Sequence, residues 1–119
     1  MVTQQRELEA RLEREGWRLI AKEPGDDWWA DEIWTIASTW HPQGIQLWLT
    51  FLVDPQHDGP RRRGEHVWAI RLSSTRPQDV DDIPLSSVAM RGHWAEALEE
   101  LAEAVARQRG RVTAGDRAG

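Results

Sequence analysis

Cysteine is absent from all 119 positions. Disulfides, thiolate metal sites and a cysteine nucleophile are therefore excluded. Tyrosine is also missing, phenylalanine occurs once, and the only lysine is Lys22. Against these gaps stand eight tryptophans, so indole must supply most of the aromatic packing area. No long hydrophobic run exists: the longest apolar-rich stretch, Ile45 to Val53, is interrupted by Gln46 and Thr50 and is too short to cross a bilayer. The first residues, Met-Val-Thr-Gln-Gln-Arg-Glu, lack the apolar stretch of a secretory signal. A cytoplasmic location without membrane contact is the expectation.

Positive charge is scarce as well. The formal net charge is −5, and all 15 basic residues except Lys22 are arginine. A nucleic-acid binder usually concentrates positive charge, so the acidic balance argues against nucleic acid as partner. The hydrophobic fraction of 39% and charged fraction of 29% fit a folded domain. The length suits one core. Residues 1–110 are read as a single α+β domain and 111–119, which have no apolar pattern, as a disordered tail.

Local patterns give the elements. Leu8 and Leu12 mark a helix over Gln4 to Glu15, with Thr3 as N-cap, Gly16 as stop and Glu7–Arg11 as an i,i+4 pair. Trp17, Leu19 and Ala21 alternate with Arg18, Ile20 and Lys22 in a first strand, which Pro24-Gly25 ends. Ile33 to Trp40 and Ile45 to Val53 flank the turn sequence His41-Pro42-Gln43-Gly44, a hairpin signal. Pairing Trp40 with Ile45 sets Ser38 opposite Leu47, Ile36 opposite Leu49 and Trp34 opposite Phe51. One face then gathers Trp34, Ile36, Trp40, Ile45, Leu47, Leu49 and Phe51 as core; the other gathers Thr35, Ala37, Thr39, Gln46, Trp48 and Thr50. Glu65 to Ser74 is a fourth strand, with His66, Trp68, Ile70 and Leu72 on one side. Leu85 to Met90 reads as a short edge strand or an irregular connector. Trp94, Leu98, Leu101 and Val105 form the apolar stripe of a helix over His93 to Gln108, which Gly110 ends. The expected fold is α+β: a two-layer, four-stranded antiparallel meander with the N- and C-terminal helices packed on one face, leaving the other face uncovered.

That uncovered face is the first candidate site. Trp48, with Thr35, Thr39, Gln46, Thr50 and Arg71 around it, suits docking of another protein or a homodimer, because a flat sheet lacks the concavity of a small-molecule site. The alternative is that Trp48 packs over Ala37 or lies beneath the C-terminal tail. A second candidate is the loop Asp26 to Glu32, where Trp28 and Trp29 stand among acids. Adjacent residues of an extended segment point opposite ways, so one indole plugs the core end and the other faces out. A third is Asp54, His57, Asp58, Glu65 and His66, residue types that suit a divalent metal or a ligand-binding enzyme, but without a spacing that fixes ligand geometry. The triplet Arg61-Arg62-Arg63 reads as a solvated hairpin tip. No nucleophile elbow or glycine-rich phosphate loop occurs, and no cofactor is implied. The function expected is a small acidic protein-interaction module, of adaptor, immunity or chaperone type, binding a partner or itself; the alternative is a metal-dependent or small-ligand-binding enzyme using the Asp54–His66 region.

Overall fold

The architecture comes from a computed structural model, which describes residues 4–25, 29–56, 59, 67–78, 82–90 and 94–118, with side chains as far as 111. In chain order the elements are α1 (Gln4–Arg14), β1 (Trp17–Pro24), β2 (Ala30–Ser38), β3 (Gln46–Val53), β4 (Val67–Ser73), β5 (Ser86–Ala89) and α2 (Trp94–Ala118). The strands form one antiparallel sheet in the order β1-β2-β3-β4-β5. The fold is thus the expected α+β meander with terminal helices, extended by a fifth strand. β5 is the edge-strand alternative for Leu85 to Met90; with one buried residue, Val88, it has too little alternation to decide between strand and connector.

The helices share one sheet face. α1 lies over β1, and α2 over β4 and β5. Leu8 and Leu12 of α1 and Leu101 and Val105 of α2 meet Trp17, Trp34, Ile36, Leu49, Ile70, Leu72 and Val88 in a single core. The two helices run in the same direction. Trp94 Nε1 donates to Glu7 Oε2 at 2.8 Å, and the Arg11 guanidinium forks onto Glu99 at 2.5 and 3.0 Å. Arg11 also pairs with Glu15, four residues on, at 3.0 Å; the expected Glu7–Arg11 pair thus gives way to Glu7–Trp94, Arg11–Glu99 and Arg11–Glu15. The Arg11 fork holds the Glu99 carboxyl below the usual carboxylate range.

The central hairpin keeps the expected faces in a shifted register. Ile36 pairs with Leu47, Trp34 with Leu49 and Glu32 with Phe51. The shift of two residues leaves each side chain on its predicted face because the strand period is two. The loop is longer than the four-residue turn because Ser38 closes it: Ser38 N donates to Ile45 O at 2.8 Å, and Ile45 N to Ser38 Oγ at 2.9 Å. In β1 an irregularity between Leu19 and Ala21 breaks the alternation. Lys22 consequently faces the helices, 4.7 Å from the Trp34 ring and 3.1 Å from Glu9, while Ile20 is exposed. α2 does not end at Gly110 but continues to Ala118. One glycine costs a helix only about 1 kcal/mol relative to alanine, too little to stop it by itself.

Candidate protein-docking face

The face of the sheet turned away from the helices carries Ile33, Thr35 and Ala37 of β2, Gln46, Trp48, Thr50 and Leu52 of β3, and Ala69, Arg71 and Ser73 of β4. These assignments follow from the pairings Thr35–Trp48–Ser73 and Ile33–Thr50–Arg71. The chain covers more of this face than its sequence suggests. At one end Trp29, buried, packs with Ala30, Leu52 and Ala69. Its carbonyl accepts from Val53 N at 2.9 Å, which fixes the backbone beside β3. Trp29 is thus a plug on the second face; Trp28 lies outside the described residues.

Further cover comes from the connection between β4 and β5. Its ends lie side by side, since Leu85 N donates to Leu72 O at 2.8 Å. Between them Arg76 pairs with Glu23 of β1. Three strand gaps of about 4.8 Å separate β4 from β1, so the segment must cross the sheet to make that pair. Glu23 pairs with Ile33 and so lies on the second face, opposite to Lys22. Pro77 beside Arg76 is buried, and Gln78 N donates to Asp82 Oδ2 at 2.7 Å within the loop. The described parts of the connection, residues 74–78 and 82–85, thus begin and end beside β4, and 74–78 reach back over the second face.

This arrangement corrects several expectations. The face is not bare. Thr35 and Thr50 are buried, so their hydroxyls are not offered to solvent. Thr39 is not on the face at all: it follows the end of β2, and its N and Oγ1 both donate to Gly16 O, at 2.9 and 3.1 Å. Trp48 is half-buried, Arg71 half-buried and Gln46 exposed, and among the described residues these three are the predicted side chains that remain within reach of a partner. Trp68, expected on the core side, is 40% exposed and donates Nε1 to Val53 O at 3.0 Å, where the register between β3 and β4 slips.

The remaining candidates carry less. Asp54 Oδ1 accepts from Gln56 N at 2.8 Å and caps a turn. His57, Asp58, Arg61-Arg62-Arg63, Glu65 and His66 lie outside the described residues. Among the described residues no group of three or more acidic or histidine side chains is placed to hold a metal ion, and no helix is long and apolar enough to cross a membrane.

The chain matches no protein-family model, no curated protein and no solved structure.

Proposed function

We propose that this protein is a small acidic interaction module that binds another protein through the second face of its sheet, over Trp48, Gln46 and Arg71. The reading rests on Trp48. A half-exposed indole at the middle of a sheet face, bordered by an amide and a guanidinium, has the composition of an interface anchor. The accessible part of the face, beside the Trp29 cluster, offers an indole, an amide and a guanidinium, a mixture found at protein interfaces. The net charge of −5 favours a partner with a basic surface.

Affinity capture from the cells that make the protein, run in parallel with wild type and Trp48→Ala, tests the reading. Wild type is expected to retain a stoichiometric partner that Trp48→Ala loses while keeping its melting temperature within a few degrees. Capture of the same partner by both forms, or of none by wild type, overturns it.

A further inference from the structure

β5 is an outer strand of the sheet, and the direction of its backbone groups follows from its register. Met90 N donates to Trp68 O at 2.7 Å, so the backbone of Met90 is turned toward β4. The pairing is regular from Ala69–Ala89 to Leu72–Ser86. In an antiparallel pair the backbone groups alternate in direction with a period of two. Val88 and Ser86 therefore bond to β4 as Met90 does, and Ser87 and Ala89 direct their N–H and C=O groups off the edge of the sheet. Both residues are exposed, and among the described residues nothing bonds to their outward backbone groups.

The two edges of the sheet differ. β1 carries an irregularity between Leu19 and Ala21, a lysine at Lys22 and a proline at Pro24, three devices that blunt an edge against pairing. β5, Ser-Ser-Val-Ala, has no charge, no proline and no irregularity. Apolar surface lies open immediately before it, where Ile83 is 94% exposed and Leu85 38%. Ser87 is the cross-strand neighbour of Arg71, so this edge continues the second face. Above it stands the first half of α2, which lies over β4 and β5. Leu101 and Val105 of α2 face the sheet, and Trp94 and Glu99 reach α1. Glu96 and Glu100, both exposed, fall on the remaining flank, toward the free edge.

We infer that the partner protein is held by an extended, basic segment of its chain that adds to β5 as a sixth strand, an inference that rests on the reading of the second face as a docking surface. Ser87 and Ala89 each offer one donor and one acceptor at the spacing of a strand. An extended backbone matches that row; a helix does not, because its own backbone groups are bonded internally. The added strand alternates its side chains between the two faces. Those on the helix side meet Glu96 and Glu100, which selects lysine or arginine there. Those on the other side lie beside Ser87 and Arg71, and the segment runs past the start of β5 over Leu85 and Ile83. From that edge the partner reaches Trp48, two strands away.

Selection from a displayed library of random peptides against the full chain tests the inference. The enriched peptides are expected to be rich in β-branched residues, with lysine or arginine at alternate positions. Proline at position 87 or 89 removes an N–H that points off the sheet, so Ser87→Pro and Ala89→Pro should melt within a few degrees of wild type yet bind the strongest peptide at least about tenfold more weakly. Glu96→Gln/Glu100→Gln should weaken it as well, and added salt should reduce that difference. In hydrogen exchange the amides of Ser87 and Ala89 should be fast in the free chain and slowed by the peptide. N-methyl groups placed along the peptide should abolish binding at every second position only, which reads the same bonds without altering the protein. Failure to enrich any peptide overturns the inference, and so does a peptide that binds both proline variants as it binds wild type. Slow exchange at Ser87 and Ala89 in a free chain of dimer mass would assign the edge to a second copy and overturn it too. A captured partner that Trp48→Ala loses and Ala89→Pro retains overturns this inference alone; one that Ala89→Pro loses and Trp48→Ala retains sustains the edge and removes the face.

Discussion

Arg76, three residues beyond the end of β4, is paired with Glu23 on β1, the strand at the opposite edge of the sheet. Both side chains are almost half exposed, at 49% and 42%. Such a pair contributes about 0–1 kcal/mol to global stability. Its larger effect is on where the segment after β4 lies. Glu23→Gln is therefore expected to leave the urea midpoint nearly unchanged but to speed thermolysin cleavage before Ile83 and Leu85, the exposed apolar residues of that loop. Equal cleavage rates in the two proteins would show that the Arg76–Glu23 pair does not hold the segment down.

The tryptophans should divide sharply by substitution. Trp34 is fully buried and donates Nε1 to Glu32 Oε2 at 3.0 Å, an oxygen that also accepts from Gln5 of α1 at 2.9 Å. Trp34→Ala removes a large core side chain and one of the two hydrogen bonds to a half-buried carboxylate, at a cost of about 3–5 kcal/mol. Trp48→Ala opens a half-exposed position and should cost far less. Chemical denaturation of the two variants checks this. A loss for Trp48→Ala as great as for Trp34→Ala would make Trp48 a core residue and end its candidacy as a docking anchor.

How far the sequence discloses the fold depends on the range of the interaction. The helices and the hairpin faces are legible because a strand or helix repeats its apolar residues within a few positions, as Leu8 and Leu12 or Leu47, Leu49 and Phe51 do. Registers are less so: shifting Ile36 from Leu49 to Leu47 leaves every face unchanged, and only the bonds of Ser38 to Ile45 decide between them. The cover of the second face is not legible at all. It depends on Trp29 folding back onto Leu52 and Ala69, and on an ion pair between residues 53 positions apart in a polar loop without periodicity. Part of the candidate site, the threonines above all, was thus overestimated for a reason local patterns cannot reveal.

Gly16 is where the first helix turns into the sheet. Its φ is +92°, in the left-handed region that glycine tolerates and side chains do not. A Cβ added there would stand 2.7 Å from Trp40 Cδ1, on a ring packed edge-on against Trp17 with centroids 5.7 Å apart and flanked by the Arg109 guanidinium at 4.9 Å. Backbone strain and displacement of Trp40 act together, so Gly16→Ala should destabilise the fold by about 1–3 kcal/mol. Thermal unfolding measures it; an unchanged midpoint would mean that the turn relaxes to another conformation.

The Arg11–Glu99 fork gives a pH signature. Glu99 ionises more readily in the folded chain than in the unfolded one, chiefly through its hydrogen bonds to Arg11. A carboxyl with a lowered folded pKa contributes stability that is present above its unfolded value of about 4.3 and lost as pH falls through the folded one. Wild type and Glu99→Gln should thus differ in melting temperature at neutral pH and converge in acid below the ordinary carboxylate range. A difference that persists at low pH would mean that Glu99 acts through packing and not through its charge.

Thr50 offers the most direct test of whether the second face is built for stability alone. It is 1% exposed, and its Oγ1 has no hydrogen-bond partner among the described residues. It stands between Ile33 and Arg71 across the strands, with Trp48 and Leu52 two positions away on its own. A buried hydroxyl without a partner forfeits its hydration with nothing in return. Valine has nearly the same shape and an equally good strand preference. Thr50→Val should therefore stabilise the isolated protein by about 1 kcal/mol in urea unfolding. The same variant should bind a partner over Trp48 as wild type does, because the buried hydroxyl is not offered to it. Stabilisation with unchanged binding would confine the docking surface to Trp48, Gln46 and Arg71; destabilisation would reveal a buried water bonded to Thr50.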